Sequence, residues 1–233
     1  MRLLALAVVA GATALATLAA PAGATNECRG FMVCAPVAGP WVVVPTAPKT
    51  PRPSVDWQLT CPKGFIVGGL DAELTDRAID VNFEALLGSP VNPGITTSRS
   101  AVFTGRSVGG PVRAASFRPH IGCLPATGGG SRIPTVAHVV PPGHPAARRV
   151  WTVRVYPGTH VVRKACASGE TLVASSHAVG FFGKTPPDAQ LTGSVHATRV
   201  VRGARVVVTI RADAGVLNVR TVVQIDLTCA GGT

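Results

Sequence analysis

Two cysteine pairs with nearly equal spacing constrain the fold of this chain more than any other feature. Cys61 and Cys123 are 62 residues apart, and Cys166 and Cys229 are 63 residues apart. In both pairs the first cysteine is followed three residues later by glycine and then by an apolar stretch. This spacing predicts a duplicated module in which each copy is closed by its own disulfide, near its first and last strands.

The N-terminus has the features of an export signal. Arg2 supplies a positive charge, an apolar run covers 3–18, and Ala22-Gly-Ala24 provides small residues for cleavage. We therefore expect a signal peptide over 1–24, a mature chain beginning at Thr25, and a secreted, extracellular protein. No later segment has the roughly 18 consecutive apolar residues that a membrane helix requires, so no transmembrane segment is expected after cleavage.

Export determines how the six cysteines are interpreted. An even number of cysteines in an oxidising compartment favours disulfides over metal thiolates. The repeated spacing pairs Cys61 with Cys123 and Cys166 with Cys229, which leaves Cys28 and Cys34 to pair with each other. No close cysteine or histidine spacing typical of zinc sites occurs, and no cofactor is predicted.

Composition and periodicity favour an all-β fold of two tandem antiparallel sandwich or roll modules. The 233 residues include 26 glycines and 20 prolines, and valine and threonine are abundant. The predicted organisation is a signal peptide (1–24), a disulfide-tied head with a proline-rich linker (25–55), a first β module (56–125), a glycine- and proline-rich connector (126–149) and a second β module (150–233).

Individual strands are predicted from alternation of apolar and polar residues. In the first module the alternation from Ile79 to Leu87 favours a strand over a competing helix at 71–87, which Asp71 would cap. In the second module, turn signals at Arg202-Gly203 and at 213–215 separate three consecutive antiparallel strands at about 194–201, 205–212 and 216–228. Cys229 falls on the core face of the last strand.

One short motif carries a family resemblance. Cys61-Pro-Lys-Gly64, followed by Val67-Gly-Gly69 and closed at Ile121-Gly-Cys123, resembles a cysteine-bracketed β repeat of secreted actinobacterial proteins. The second copy departs from the pattern, because Ala167 replaces the proline and 173–175 replaces the glycine pair. The resemblance implies a small disulfide-closed β domain and implies no activity.

Several motifs with catalytic or binding chemistry are better explained structurally. The sortase-like Leu124-Pro-Ala-Thr-Gly128 is followed by a whole module rather than by a sorting tail, and Ser175 and His177 lack a nucleophile elbow. The scattered histidines lack metal-binding spacing. An acidic cluster, whose alternative roles are a calcium site or a hydrolase carboxylate pair, consists of Asp71, Glu73, Asp76, Asp80 and Glu84.

Charge asymmetry supplies the functional hypothesis. The second module holds nine basic side chains against four acidic ones, whereas the first module is balanced. Alternation predicts a basic stripe for anionic cell-envelope polymers, formed by Arg199, Arg202, Arg205, Arg211 and Arg220. Nucleic acid is disfavoured because aromatic residues for base stacking are not interleaved with the arginines.

We therefore expect a secreted, noncatalytic binding module that is not an enzyme. Its expected partner is an anionic envelope polymer or another extracellular protein. The first alternative is a structural or protein-interaction role, such as an inhibitor or an adhesin-like domain. The second is a hydrolase that uses the acidic cluster at 71–84.

Overall fold

The computed structural model describes residues 25–45, 53–85, 99–108, 115–126 and 146–231. The expected signal peptide lies outside these residues. So do most of the proline-rich linker, most of the connector, and two of the six histidines, His138 and His144.

The first half of the chain forms seven strands. These are β1 (Ala35–Ala38), β2 (Trp41–Val43), β3 (Ser54–Thr60), β4 (Phe65–Leu74), β5 (Ile79–Ala85), β6 (Ser100–Ser107) and β7 (Ser116–Pro125). The strand predicted to begin at Ile79 is confirmed as β5, and the competing helix is not formed. Every second residue of β3, from Val55 to Leu59, is buried, as alternation requires.

The second half adds six strands and two short helices. These are β8 (Ala147–Arg154), β9 (Gly158–Ala165), β10 (Glu170–Phe182), α1 (Ala189–Gly193), β11 (Val195–Arg202), β12 (Arg205–Ala212), a 3-10 helix (Ala214–Asn218) and β13 (Arg220–Gly231). The hairpin between β11 and β12 turns through Gly203, whose φ is 57°. Glycine adopts this left-handed conformation without steric penalty.

Three antiparallel sheets form the described part of the chain, and the all-β prediction is confirmed. One sheet has the order β3-β6-β5 and a second has the order β9-β12-β11. The third has seven strands. Six of them follow the order β1-β7-β2-β10-β13-β8, and the seventh, β4, also pairs with β7. Because β2 pairs with both β7 and β10, this sheet runs continuously through both halves.

The two halves share a strand order and a disulfide position. The order β3-β6-β5 corresponds to β9-β12-β11, and the pair β4–β7 corresponds to β10–β13. Val67 lies opposite Cys123 in one half and Leu172 opposite Cys229 in the other, and a bulge follows immediately in both. All three predicted disulfides are confirmed: Cys28–Cys34, Cys61–Cys123 and Cys166–Cys229.

Two hydrophobic cores meet at the shared sheet. Trp57, Phe103 and Phe117 belong to the first core, which also receives Val222 from β13. Val208, Ile225 and Cys229 belong to the second. Residues 221–227 of β13 are all buried, so this strand is covered on both of its faces.

The prediction of three consecutive paired strands in the second module is wrong for the third strand. β11 and β12 form a hairpin as expected, but β13 joins the seven-stranded sheet. The change of sheet occurs at the 3-10 helix, where Oδ1 of Asp213 accepts a hydrogen bond from the backbone N–H of Gly215 at 2.7 Å. The predicted core position of Cys229 is confirmed.

Candidate functional site

The outer surface of the β9-β12-β11 sheet carries the principal cluster of exposed arginines. Val206, Val208 and Ile210 of β12 are fully buried, so the alternate residues of β12 point away from the core. We call this surface the basic face and define it by its cationic members: Arg163, Arg202, Arg205, Arg211 and the neighbouring His196.

Strand register places these side chains across all three strands. Arg205 of β12 lies opposite Arg202 of β11, and Arg211 lies opposite His196. Arg163 on β9 lies opposite Val207, which also belongs to the outer side of the sheet. Sequence analysis did not include Arg163 in the predicted stripe, although its alternation within 158–165 was a usable signal.

The arginines of the basic face are exposed and have no acidic partners within the described residues. Among the described residues, the arginines that form ion pairs are Arg106, Arg148 and Arg149, and none of these three belongs to the basic face. Like charges directly opposite each other in a sheet are destabilising, and Arg202 and Arg205 occupy such positions. The face therefore holds uncompensated positive charge.

Two arginines of the predicted stripe lie outside the basic face. Arg199 lies directly opposite buried Val208, so its side chain is on the inner side of the sheet rather than on the basic face. Its guanidinium donates a hydrogen bond to the backbone carbonyl of Ser175. Arg220 begins β13 in the other sheet, where its guanidinium carbon lies 4.5 Å from the ring centroid of Phe182. The change of sheet before β13 separates Arg220 from the basic face, whereas Arg199 is separated from it by its position on the inner side of β11.

The acidic cluster does not converge on one point. Its four members with described side chains each have a different partner, and the side chain of Glu84 lies outside the described residues. The four contacts are Asp71 Oδ2 with the Asn26 N–H at 2.6 Å, Glu73 Oε1 with His120 Nε2 at 3.1 Å, Asp76 Oδ1 with the Ala78 N–H at 2.6 Å, and Asp80 Oδ2 with Arg106 at 3.0 Å. Among the described side chains, these four contacts direct the carboxylates to four different partners.

One group of three potential metal ligands occurs in the described part of the chain. It consists of Glu170 with Cys166 and Cys229, whose sulfurs are joined in a disulfide. Metal binding by cysteine requires a thiolate, so this group is not a metal site. Glu170 instead accepts hydrogen bonds from Arg149, which together with the Ala167 N–H holds the pKa of this carboxyl below its ordinary value.

Two histidines, the half-buried His177 and the buried His120, make structural contacts. Nε2 of His177 lies 3.0 Å from the backbone carbonyl oxygen of Ala197, and burial lowers the pKa of this imidazole. His120 lies between two carboxylates, with Nδ1 3.7 Å from Glu27 and Nε2 3.1 Å from Glu73, although Nε2 has no partner in hydrogen-bond geometry. The Ser175 hydroxyl, two residues before His177 in the sequence, accepts a hydrogen bond from Arg199.

A polar cluster missed by the sequence analysis joins the two halves of the chain. The Gln224 side chain accepts from the backbone N–H of Gln58 at 2.6 Å and donates to the Gln58 carbonyl at 3.1 Å. These are the contacts that a neighbouring strand would make. The Gln224 amide thus hydrogen-bonds the backbone N–H and carbonyl of Gln58 at the edge of β3. Buried backbone groups need such partners, which explains why a polar residue occupies this position at the junction of the two halves.

An arginine completes this cluster. Arg148 of β8 donates to Asp226 of β13 and, at 3.2 Å, to Asp56 of β3. Thr104 donates to the other oxygen of Asp56 at 2.8 Å. Burial raises the pKa of the Asp226 carboxyl above its ordinary value, and the guanidinium of Arg148 opposes that rise.

A second surface feature missed by the sequence analysis is the loop closed by Cys28 and Cys34. Three consecutive apolar residues at its end are exposed: Phe31, Val33 and a completely solvent-exposed Met32. We call these three residues the apolar tip. Arg29 in the same loop is exposed and has no ion-pair partner among the described residues.

No protein-family model matches the chain, and neither a curated protein nor a solved structure matches it significantly. Neither short helix in the described residues has the length and apolar character that spanning a bilayer requires.

Proposed function

We propose that this chain is an exported, noncatalytic binding protein whose basic face engages anionic polymers of the cell envelope. The observation that carries the proposal is the direct opposition of Arg202 and Arg205 on a surface without acidic partners among the described residues. Folding alone gains nothing from this arrangement, because opposed like charges destabilise a sheet. The negative charge of a bound polymer would offset the repulsion between these two arginines.

The dimensions of the face suit a polymer better than a single small ion. Arg205 and Arg211 are at opposite ends of β12, and a strand rise of about 3.3 Å per residue separates them by roughly 20 Å. Arg163 lies between these ends on the neighbouring strand. Repeated phosphate or carboxylate groups could contact several guanidinium groups at once, and each planar guanidinium can form a bidentate pair with one such group.

The disulfides support an extracellular setting. Three disulfides account for all six cysteines, and disulfides persist mainly outside the reducing cytosol. Together with the export signal expected at 1–24, this supports a protein that encounters wall polyanions, acidic glycans or anionic head groups.

Retention on isolated bacterial cell walls tests the proposal. The variant Arg205→Ser/Arg211→Ser should bind about thirtyfold more weakly, since each arginine near an anionic surface contributes about 1 kcal/mol. The matched control is Arg77→Ser/Lys184→Ser, which removes the same charge from exposed positions outside the basic face and should change retention by less than about threefold. Raising salt to about 0.5 M should release the parent protein, because added salt shortens the Debye length and so screens the attraction between the basic face and the polymer.

Two results would contradict the proposal. Retention that is unchanged by salt would exclude an electrostatic polymer contact. Equal losses in the two double variants would show that net charge, rather than the basic face, determines binding.

A protein-interaction role is the second candidate. Val161 and Val200 are exposed on the outer side of the same sheet, and apolar residues among arginines are typical of protein interfaces. Retention that survives salt, is lost on protease treatment of the walls, and falls with Val161→Ser/Val200→Ser would favour this role.

A further inference from the structure

The loop from Cys28 to Cys34 is rigidly held at its base. The Glu27 carbonyl oxygen fits against two glycines, since a Cβ atom at Gly69 would lie 1.8 Å from it and one at Gly122 would lie 2.1 Å from it. The Asn26 N–H donates to Asp71, and the disulfide closes the loop. Immediately after the loop, β1 pairs with β7. A firm base of this kind fixes the direction in which the loop projects.

The far end of the loop is apolar where a solvent-facing loop is ordinarily polar. Met32 is completely exposed, Val33 is 63% exposed and Phe31 is 36% exposed. The loop contains no acidic residue, and Arg29 is its single charged side chain. Isolated exposed apolar residues need no explanation, whereas a contiguous group marks an interaction surface.

We propose that the apolar tip inserts into the interfacial region of a bilayer that carries anionic head groups. Phe31 and Met32 enter the boundary between head groups and acyl chains, and Arg29 remains at the level of the phosphates. The full chain has a net charge of +11, which becomes +10 once the expected signal peptide with Arg2 is removed, and this charge attracts the protein to such a surface.

A bilayer suits the tip better than a pocket on another protein. A specific protein interface buries roughly 800 Å² on each partner, which three side chains at the end of a narrow loop do not provide. Peripheral membrane binding needs only a small apolar insertion combined with electrostatic attraction. The tip supplies the first element and the charge of the chain supplies the second.

Vesicle binding by the exported protein tests this inference. Sedimentation with phosphatidylcholine vesicles containing about one-third phosphatidylglycerol should show binding, and pure phosphatidylcholine vesicles should bind at least tenfold more weakly. Phe31→Ser/Met32→Ser should reduce binding to the anionic vesicles by about tenfold or more. The matched control is Leu217→Ser, which removes an apolar side chain that is 67% exposed elsewhere and should leave binding unchanged.

A depth-sensitive measurement separates insertion from adsorption. With Met32→Trp, the added fluorescence should shift to shorter wavelength on anionic vesicles and should be quenched by brominated lipid. Met32 is also the one methionine after Met1. Peroxide transfers an oxygen atom to its sulfur and leaves water, so oxidation should weaken vesicle binding as the serine variant does.

Three outcomes would overturn the inference: no binding to anionic vesicles, full binding by Phe31→Ser/Met32→Ser, or unshifted emission from Met32→Trp. Capture of one protein without lipid, lost with the tip variant, would replace the bilayer with a protein partner. The inference is independent of the basic face, because Met32→Trp combined with Arg205→Ser/Arg211→Ser should still show the spectral shift on saturating vesicles even if this variant no longer binds walls.

Discussion

Replacing Arg148 with methionine removes the cation that joins β3, β8 and β13. In the parent protein this guanidinium contacts both Asp226 and Asp56. Methionine is similar in length and apolar, so the change removes the charge and leaves much of the packing. Asp56 keeps its hydrogen bond from Thr104, and its side chain is 27% exposed. The main effect should therefore fall on Asp226.

The expected loss of stability follows from the burial of Asp226. Its side chain is 5% exposed, and breaking a buried ion pair by removing one partner costs about 3–5 kcal/mol. Protonation sets an upper limit on this cost. Protonating a carboxyl with an ordinary pKa of about 3.9 costs about 4 kcal/mol at pH 7 and about 1.5 kcal/mol at pH 5. We expect Arg148→Met to lose 3–4 kcal/mol at pH 7 and about 1.5 kcal/mol at pH 5.

The direction of the pH effect follows from proton binding in the two states. Without Arg148 the pKa of Asp226 rises further above its unfolded value, so the folded state holds a proton that the unfolded state has released. Stability of the variant then falls as pH rises from about 4 to 7. Urea unfolding at pH 5 and pH 7 measures the effect, provided that the m-value is unchanged.

Neutralising the carboxylate should reverse most of the damage. Asp226→Asn alone should cost about 1 kcal/mol, and adding it to Arg148→Met should recover about 2 kcal/mol at pH 7. The control is Arg106→Met, which breaks the exposed pair with Asp80 and should cost less than about 1 kcal/mol at either pH. Equal losses for Arg148→Met at both pH values, or no recovery in the double variant, would refute the reasoning.

Two further changes test other contacts. Gly69→Ala places a methyl group 1.8 Å from the Glu27 carbonyl and should make hydrogen exchange in residues 25–34 about tenfold faster while β7 stays protected. Gly193→Ala, with nothing within 4 Å, is the control, and unchanged exchange in the first variant would contradict the docking of the head. Burial lowers the pKa of His177, so the unfolded state binds a proton first and parent stability should fall as pH drops below about 6.5. His177→Gln should become more stable relative to the parent between pH 7 and 5 by urea unfolding, and a constant difference would exclude the titration.

Local sequence signals were sufficient for much of the fold. The alternation that buries Val206, Val208 and Ile210 is a property of a single strand and needs no knowledge of its neighbours. The disulfides were predictable because the two cysteine separations are nearly equal. The same alternation placed Arg205 and Arg211 on one exposed side of the sheet, which the structure confirms.

Tertiary packing accounts for what the sequence did not reveal. Gln224 and Asp226 alternate with apolar residues, a pattern typical of a strand with one face in solvent, yet β13 is covered on both faces and these side chains meet β3 or β8. Arg220 was misplaced for a related reason, since the turn signal after β12 marks a change of sheet rather than a hairpin. Alternation identifies two faces of a strand but does not show what lies against each one.

The apolar tip was missed for a different reason. Phe31, Met32 and Val33 are residues that usually lie inside a protein, and no local pattern shows that a run of them is exposed. The available signal was the short span between Cys28 and Cys34, because a ring of that size cannot bury its own contents.

The three residues of β2 have a consequence for how this molecule could be divided. Val42 belongs to the first core, while Val43 packs against the second, and the strand hydrogen-bonds to both neighbours at once. Expressing the two halves separately would thus yield two fragments with unpaired edge strands that promote aggregation, rather than two independently folding domains. Two molecules that exchanged β2 would form a domain-swapped dimer, so β2 is also a position at which misassembly could begin.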